Sequence, residues 1–214
     1  MLDLSAPAAA VASIVLFLGG VAAWTLGEYV IHRFVMHELR GTGLPSREHL
    51  LHHADPEANP GRPVLSWIGI TIVGAVLFLP IGLWFAGAWW GVSLYLGWLV
   101  GYGVYEQLHN RSHTHAPRNA YGTWLRRHHF HHHHGHPLEN HGVTTPVWDW
   151  AFGTLVRNDH VDVPRRHAMP WLVGDDGEVK PQYRDTYAIV GPADPEGRMA
   201  AIDRARAFAN LAPV

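Results

Sequence analysis

Arg126–His136 reads RRHHFHHHHGH, and within it His129-Phe130-His131-His132-His133 forms an H-x-x-H-H pattern. The pattern recurs at His49-Leu50-Leu51-His52-His53, and two wider pairs accompany it: His32…His37 and His109…His113. On an α-helix, positions i, i+3 and i+4 share a face. Each H-x-x-H-H therefore sets three imidazoles over one patch, and His109 and His113 pair likewise. His32 and His37 are five apart, about 140° around a helix of 3.6 residues per turn, so that pair requires a helix end or a metal on either side. Neutral imidazole ligates iron, zinc, copper and nickel. A structural zinc takes four ligands and a catalytic zinc usually three. The four groups offer ten, too many for one ion and suited to two ions of higher coordination.

Working outward, the chain alternates apolar and polar stretches. Leu4–Gly27 carries no charge and as a helix would span about 36 Å, enough for a hydrocarbon core of about 30 Å. It is expected to be a membrane anchor running into the first histidine pair. No Lys or Arg precedes it, so it makes a poor cleaved signal peptide. Pro63–Tyr105 is again free of charged side chains, too long for one crossing and suited to two, hinged near Phe85–Trp90, with Pro80 kinking the first. A hairpin returns to the side it left, so the two early histidine groups and the two late ones face the same side of the membrane. Without that parity they could not build one site.

The 16 Lys and Arg residues all lie outside the apolar stretches, at Arg33–Arg62 or from Arg111 onward. The positive-inside rule makes this histidine side cytoplasmic. Abundant Ala, Gly and Arg beside a single Lys suggests a GC-rich bacterial genome, hence a bacterial inner membrane. The 10 tryptophans fit membrane interfaces. With no cysteine, disulfides, thiolate haem, Cys-ligated iron–sulfur clusters and Cys-containing zinc sites are excluded. A net charge of −2 gives no reason to expect nucleic acid.

Asp55–Gly61 is dense in turn formers, and Ala116–Asn119 breaks the helical segments expected over Glu106–His136. Gly142–Leu155, GVTTPVWDWAFGTL, is aromatic and turn-rich and is expected to pack beside the site. From Arg157 the chain is polar and punctuated by Pro and Gly, with a short helix expected over Glu196–Leu211. The reading is of an all-α integral-membrane bundle whose cytosolic histidine-rich helices hold a dinuclear metal site. Residues 1–156 form the membrane-embedded catalytic domain and residues 157–214 a polar C-terminal tail.

The order HRFVMH, HLLHH, HNRSH, HFHHH, closed by GVTTPVWDWAFGTL, resembles the integral-membrane fatty acid hydroxylase/sterol desaturase superfamily over about residues 28–155. The resemblance implies a four-helix-type membrane scaffold and two irons that activate O2 with two electrons and oxidise a lipid C–H bond; zinc can replace iron on purification. It implies as ligands His32, His37, His49, His52, His53, His109, His113, His129, His132 and His133. His128/His131/His132 has the same spacing as the last three and stands as the alternative register. Glu106, three residues before His109, falls where the family often has an acidic residue and is read as orienting a ligand ring. No fused haem-binding domain is seen in this chain, so the electrons are expected from an external ferredoxin-like or cytochrome-type donor with its reductase.

Hydroxylation of an acyl chain leads, with lipid or sterol desaturation and carotenoid hydroxylation as neighbours in the same superfamily. The rival from another class is a histidine-rich membrane metal transporter or store. Transporters place ionisable ligands near the bilayer midplane, whereas both apolar stretches here lack His, Asp and Glu. A zinc protease is excluded because His37-Glu38 is not followed by the second histidine of H-E-x-x-H.

Overall fold

The computed structural model describes residues 5–200 apart from Ala58, Leu83, Phe85, Ala86, Ala193, Pro195 and Arg198. The helix expected over Glu196–Leu211 lies mostly outside the described residues. Six α-helices are described: α1 Ala6–Val30, α2 Leu44–Ala54, α3 Pro63–Ile81, α4 Ala88–Thr114, α5 Ala120–Phe130 and α6 Val147–Ala151. A π-helical turn, Ile31–His37, follows α1 and another, His131–Gly135, follows α5. The chain divides into two compact units, Met1–Glu28 with Arg62–Gln107, and Tyr29–Gly61 with Leu108–Val214.

The first unit holds α1 to Glu28, α3 and most of α4. Its packing rests on small residues that let backbones approach and on aromatic rings between them. A Cβ on Gly97 would run into the Phe17 carbonyl, and one on Gly20 into the Leu94 carbonyl, which fixes the approach of α1 to α4. Trp24 packs edge-on against Trp98 and Tyr102, with centroids 4.9 and 5.0 Å away. Val11, Ile14, Leu18, Ile72, Val76 and Val100 instead point outward. Large apolar side chains facing out on three helices suit lipid rather than water. Two helical runs, Ala6–His37 and Pro63–Ile81, are long and apolar enough to cross a bilayer. Pro80 lies inside α3, one residue before its end.

The second unit carries all four histidine groups. Residues five apart return to one face when the hydrogen bonds run i to i+5, and both π turns show that bond: Glu38 N to Arg33 O at 2.9 Å and His136 N to His131 O at 3.0 Å. The first turn removes the difficulty of the His32…His37 spacing, bringing the two rings to a centroid distance of 5.1 Å on one face. No helix end has to lie between them. Ser46, wholly buried, donates to the Met36 carbonyl at 2.7 Å and accepts from Gly41 N at 2.8 Å, fastening this turn to α2. Arg126 closes the end of α4: its guanidinium donates at 2.8 Å to the Arg111 carbonyl, which also accepts from His115 N–H, and at 2.9 Å to the His115 carbonyl.

Beyond residue 156 the chain folds back on α5. Strands Val161–Pro164 (β1) and Tyr187–Val190 (β2) pair in parallel, Val161 opposite Tyr187. Val161, Val163, Met169, Leu172, Val179 and Tyr187 form a buried cluster with Phe130, the one apolar residue inside the last histidine group. Its ring thus holds the helix of that group from behind. This small sheet was not anticipated from the polar composition of the segment.

Candidate metal centre

All ten histidines taken from the four spacings come together in the second unit, in two groups of five. His32, His37, His49, His53 and His132 form one group, and His52, His109, His113, His129 and His133 the other; within each, the ligand-capable nitrogens lie within 4.8 Å of one another. Each H-x-x-H-H is divided between the two. In α2, His49 and His53 go to the first group and His52 to the second. In the last pattern His132 goes to the first, His129 and His133 to the second. His53 and His133 stack at 4.0 Å between centroids, so a ring of one group lies on a ring of the other.

The first group is tight. The Nε2 atoms of His32 and His49 are 2.9 Å apart, those of His49 and His37 2.9 Å, those of His37 and His132 3.0 Å, and those of His53 and His49 3.1 Å. In the second group His113 and His129 present Nε2 atoms 3.0 Å apart, while His52 Nε2 and both His133 nitrogens are buried with no hydrogen-bond partner among the described residues. Two nitrogens bound at right angles, each about 2.1 Å from one ion, are about 3.0 Å apart. The outward atoms explain why these contacts are not ordinary hydrogen bonds. His32 Nδ1 donates to the His141 carbonyl, His132 Nδ1 to the Glu139 carbonyl at 2.8 Å and His52 Nδ1 to the Asn59 carbonyl at 2.9 Å. With the proton fixed on Nδ1, each Nε2 presents a lone pair inward. Lone pairs converging in a buried space are repulsive unless a cation lies among them, so both groups fit a metal ion.

Burial also keeps the rings in their ligating form. His49, His53, His129, His132 and His133 are held well below the usual imidazole range, chiefly because a charged ring would be desolvated and then because neighbouring imidazoles repel it. His52 is lowered by burial to about 4, the Asn59 carbonyl pulling the other way. Folded values below the unfolded value of about 6.5 mean that the unfolded chain takes up more protons between them. Metal retention and stability are therefore present above pH 6.5 and are lost as the pH falls towards 4. Bound metal, measured after equilibration at stepwise pH, is expected to be full at pH 7 and mostly released by pH 4. Full retention at pH 4 would contradict a site of neutral imidazoles.

The surplus histidines do other work. His128 lies 3.4 Å from Asp149, and His131 bonds Glu139 at 2.7 Å and also contacts Asn158. The last group in the structure is thus His129/His132/His133 rather than the alternative register. His167 bonds the Ala54 carbonyl at 3.0 Å, while His160 is exposed beside Asp162. Glu106, expected to orient a ligand ring, is engaged otherwise: it accepts from Trp67 Nε1 at 2.6 Å and from the Tyr102 hydroxyl at 3.2 Å, in the first unit.

The carboxylate that serves the site is Asp149, on α6 within the closing aromatic segment. It is fully buried and accepts from the backbone N–H of His141 and of Gly142, both at 2.8 Å, and from the Thr154 hydroxyl at 2.7 Å. Asp149 thereby sets the loop whose His141 carbonyl orients His32. Asn140, in the left-handed region at φ 55°, bonds both backbone groups of Val156 through its side-chain amide and locks the loop at its other end. Neither role followed from the histidine spacing; the W-D…F-G-T pattern was the available signal. A cavity of about 720 Å³ opens beside the two groups, reaching His37 and His53 of the first and His133 of the second.

A family model described as fatty acid hydroxylase matches residues 17–154. The chain is 32% identical over 152 residues to a fatty acid 2-hydroxylase of Macaca fascicularis, covering 66% of this chain and 39% of that protein. It is 30% identical to a dihydroceramide fatty acyl 2-hydroxylase of Arabidopsis thaliana, covering 64% of this chain and 58% of that one. A solved structure of full-length scs7p, in which only the hydroxylase domain is visible, superposes with a TM-score of 0.56 at 26% identity, over 70% of this chain and 58% of that chain. The chain thus spans about two fifths of the mammalian relative. Spanning the four histidine groups and the Asp149 loop, these matches establish that the chain belongs to the fatty acid hydroxylase family.

Proposed function

We propose that this chain is a membrane enzyme that hydroxylates a C–H bond of a fatty acyl chain with O2 at a pair of irons. A separate ferredoxin-like or cytochrome-type protein and its reductase would supply the two electrons. The observation that carries the reading is the gathering of ten imidazoles from four distant segments into two groups of five. Iron held there would supply redox chemistry with oxygen that side chains alone lack. His32, His37, His49, His53 and His132 would hold one ion, and His52, His109, His113, His129 and His133 the other. The chain's own part is to keep these rings neutral by burial, to fix the Nδ1 proton of His32, His52 and His132 through backbone carbonyls, and to hold the loop rigid through Asp149.

Hydroxylation is favoured over desaturation because the relatives named above are 2-hydroxylases, and the same names favour attack at carbon 2 of the acyl chain. A metal transporter is disfavoured because every grouped histidine lies in one unit and none falls within the charge-free stretches of the sequence. The arginines that accompany these groups support a histidine side on the cytoplasmic face of a bacterial inner membrane.

The test is the protein purified in detergent from iron-supplemented cells, assayed for metal and then, with a reducing system and 18O2, for lipid products. The expected result is about two irons per chain and one labelled oxygen in an acyl product. One metal or none would overturn the two-metal reading, and metal-loaded protein that oxidises no lipid would overturn the enzymatic one.

A further inference from the structure

The cavity beside the histidine groups has a composition that the metal centre does not require. Besides His37, His53 and His133, its walls include Arg33, Arg40 and Arg166, and a short apolar stretch formed by Leu50 and Leu138. The one carboxylate in the lining, Glu38, is already bound by Arg33 at 3.0 Å. Arg33 also donates to the Tyr29 hydroxyl at 2.9 Å, a contact that holds its side chain in place, and Arg166 Nε lies 3.1 Å from His167 Nε2. Arg40 occupies a left-handed backbone position, φ 50°. A glycine or asparagine would adopt that conformation at lower cost. Guanidinium groups bind carboxylate and phosphate oxygens in paired hydrogen bonds. The volume of about 720 Å³ is that of a small-molecule pocket.

Resting on the lipid-oxidising reading above, we propose that this arginine-walled cavity is an anion subsite that takes a carboxylate or phosphate of the acyl substrate. The apolar wall of Leu50 and Leu138 receives the first methylenes. Because the same cavity reaches both histidine groups, a bound anion places the neighbouring carbons, rather than the chain terminus, beside the metals. The substrate class is then an anionic lipid: a free fatty acid if the anion is a carboxylate, an acylated phospholipid if it is a phosphate.

The experiment compares iron-loaded protein in detergent acting on palmitic acid, methyl palmitate and dipalmitoyl phosphatidic acid, alongside calorimetric binding of sodium octanoate. The wild type is expected to act on one of the two anionic lipids and at least tenfold less well on the ester. Preference for the acid or the phospholipid tells carboxylate from phosphate. Arg40→Gln and Arg166→Gln should each raise KM for the preferred anion about tenfold and weaken octanoate binding in parallel, with metal content unchanged. Arg118→Gln, on an exposed residue outside the cavity, should alter neither. Equal turnover of acid, phospholipid and ester, or unchanged octanoate binding in both arginine variants, would overturn the subsite. So would a rise in KM confined to the electron donor, which would make the arginines a protein-docking face. Octanoate bound through Arg40 and Arg166 by a protein that oxidises no lipid would leave the subsite standing and remove the hydroxylase reading.

Discussion

His132→Ala is expected to reduce bound metal from two ions per chain to one and to lower lipid oxidation at least a thousandfold. His132 has no exposed surface, its Nδ1 is fixed on the Glu139 carbonyl, and its Nε2 lies 3.0 Å from that of His37. Alanine removes one of five imidazoles and leaves a carbonyl without its donor. Loss of residues that merely orient ligands costs ten- to a hundredfold in metal affinity or activity, so loss of a ligand should exceed that. The second group has none of its five rings altered and should keep its ion, although the His53–His133 stack links the groups. The assay is metal per chain together with product formation, with His160→Ala as the comparison. That ring is exposed beside Asp162, and its removal should change turnover less than twofold. Wild-type turnover by His132→Ala would remove the first group from the reaction, and loss of both ions would show that neither group holds metal without the other.

The histidine spacings made the centre legible because side-chain chemistry and local helical geometry coincide there. Four segments and one pattern that occurs twice sufficed to pick out the ten rings that gather in two groups. The spacing of His32 and His37 was misread for a physical reason: an α-helical projection separates residues five apart, and only an i to i+5 turn reunites them. Nothing in Ile31–His37 announces a π turn, since its stability depends on contacts such as that of Ser46 with the Met36 carbonyl. The orienting groups were largely invisible, because His141, Glu139 and Asn59 act through backbone carbonyls that every residue possesses. Glu106 looked suitable by sequence distance, but Trp67 and Tyr102 bind its carboxylate. The fold of residues 157–190 escaped notice because its core is six residues, scattered along the segment, that condense around Phe130.

Asp149→Asn is expected to lower stability by about 3 kcal/mol and metal affinity at the first group by ten- to a hundredfold, without touching a ligand. Burial alone would disfavour the Asp149 charge. The backbone N–H groups of His141 and Gly142 and the Thr154 hydroxyl, with the His128 and His141 rings nearby, outweigh that penalty and hold the carboxyl well below its usual range. An asparagine of the same shape must turn an NH2 towards at least one of these donors, leaving a buried N–H unsatisfied and a charge-assisted bond lost. The loop then loosens at His141 and Gly142, and the His141 carbonyl no longer fixes the His32 ring. Because the carboxyl is depressed in the folded chain, its contribution is present above the unfolded value of about 3.9 and disappears as the pH falls through the folded value. The difference in melting temperature between wild type and Asp149→Asn should therefore be steady from pH 7 to pH 5 and shrink below pH 4. Thermal unfolding in detergent across that range measures it. A difference that persists undiminished at pH 3 would mean that the shape of the side chain, and not its charge, secures the loop.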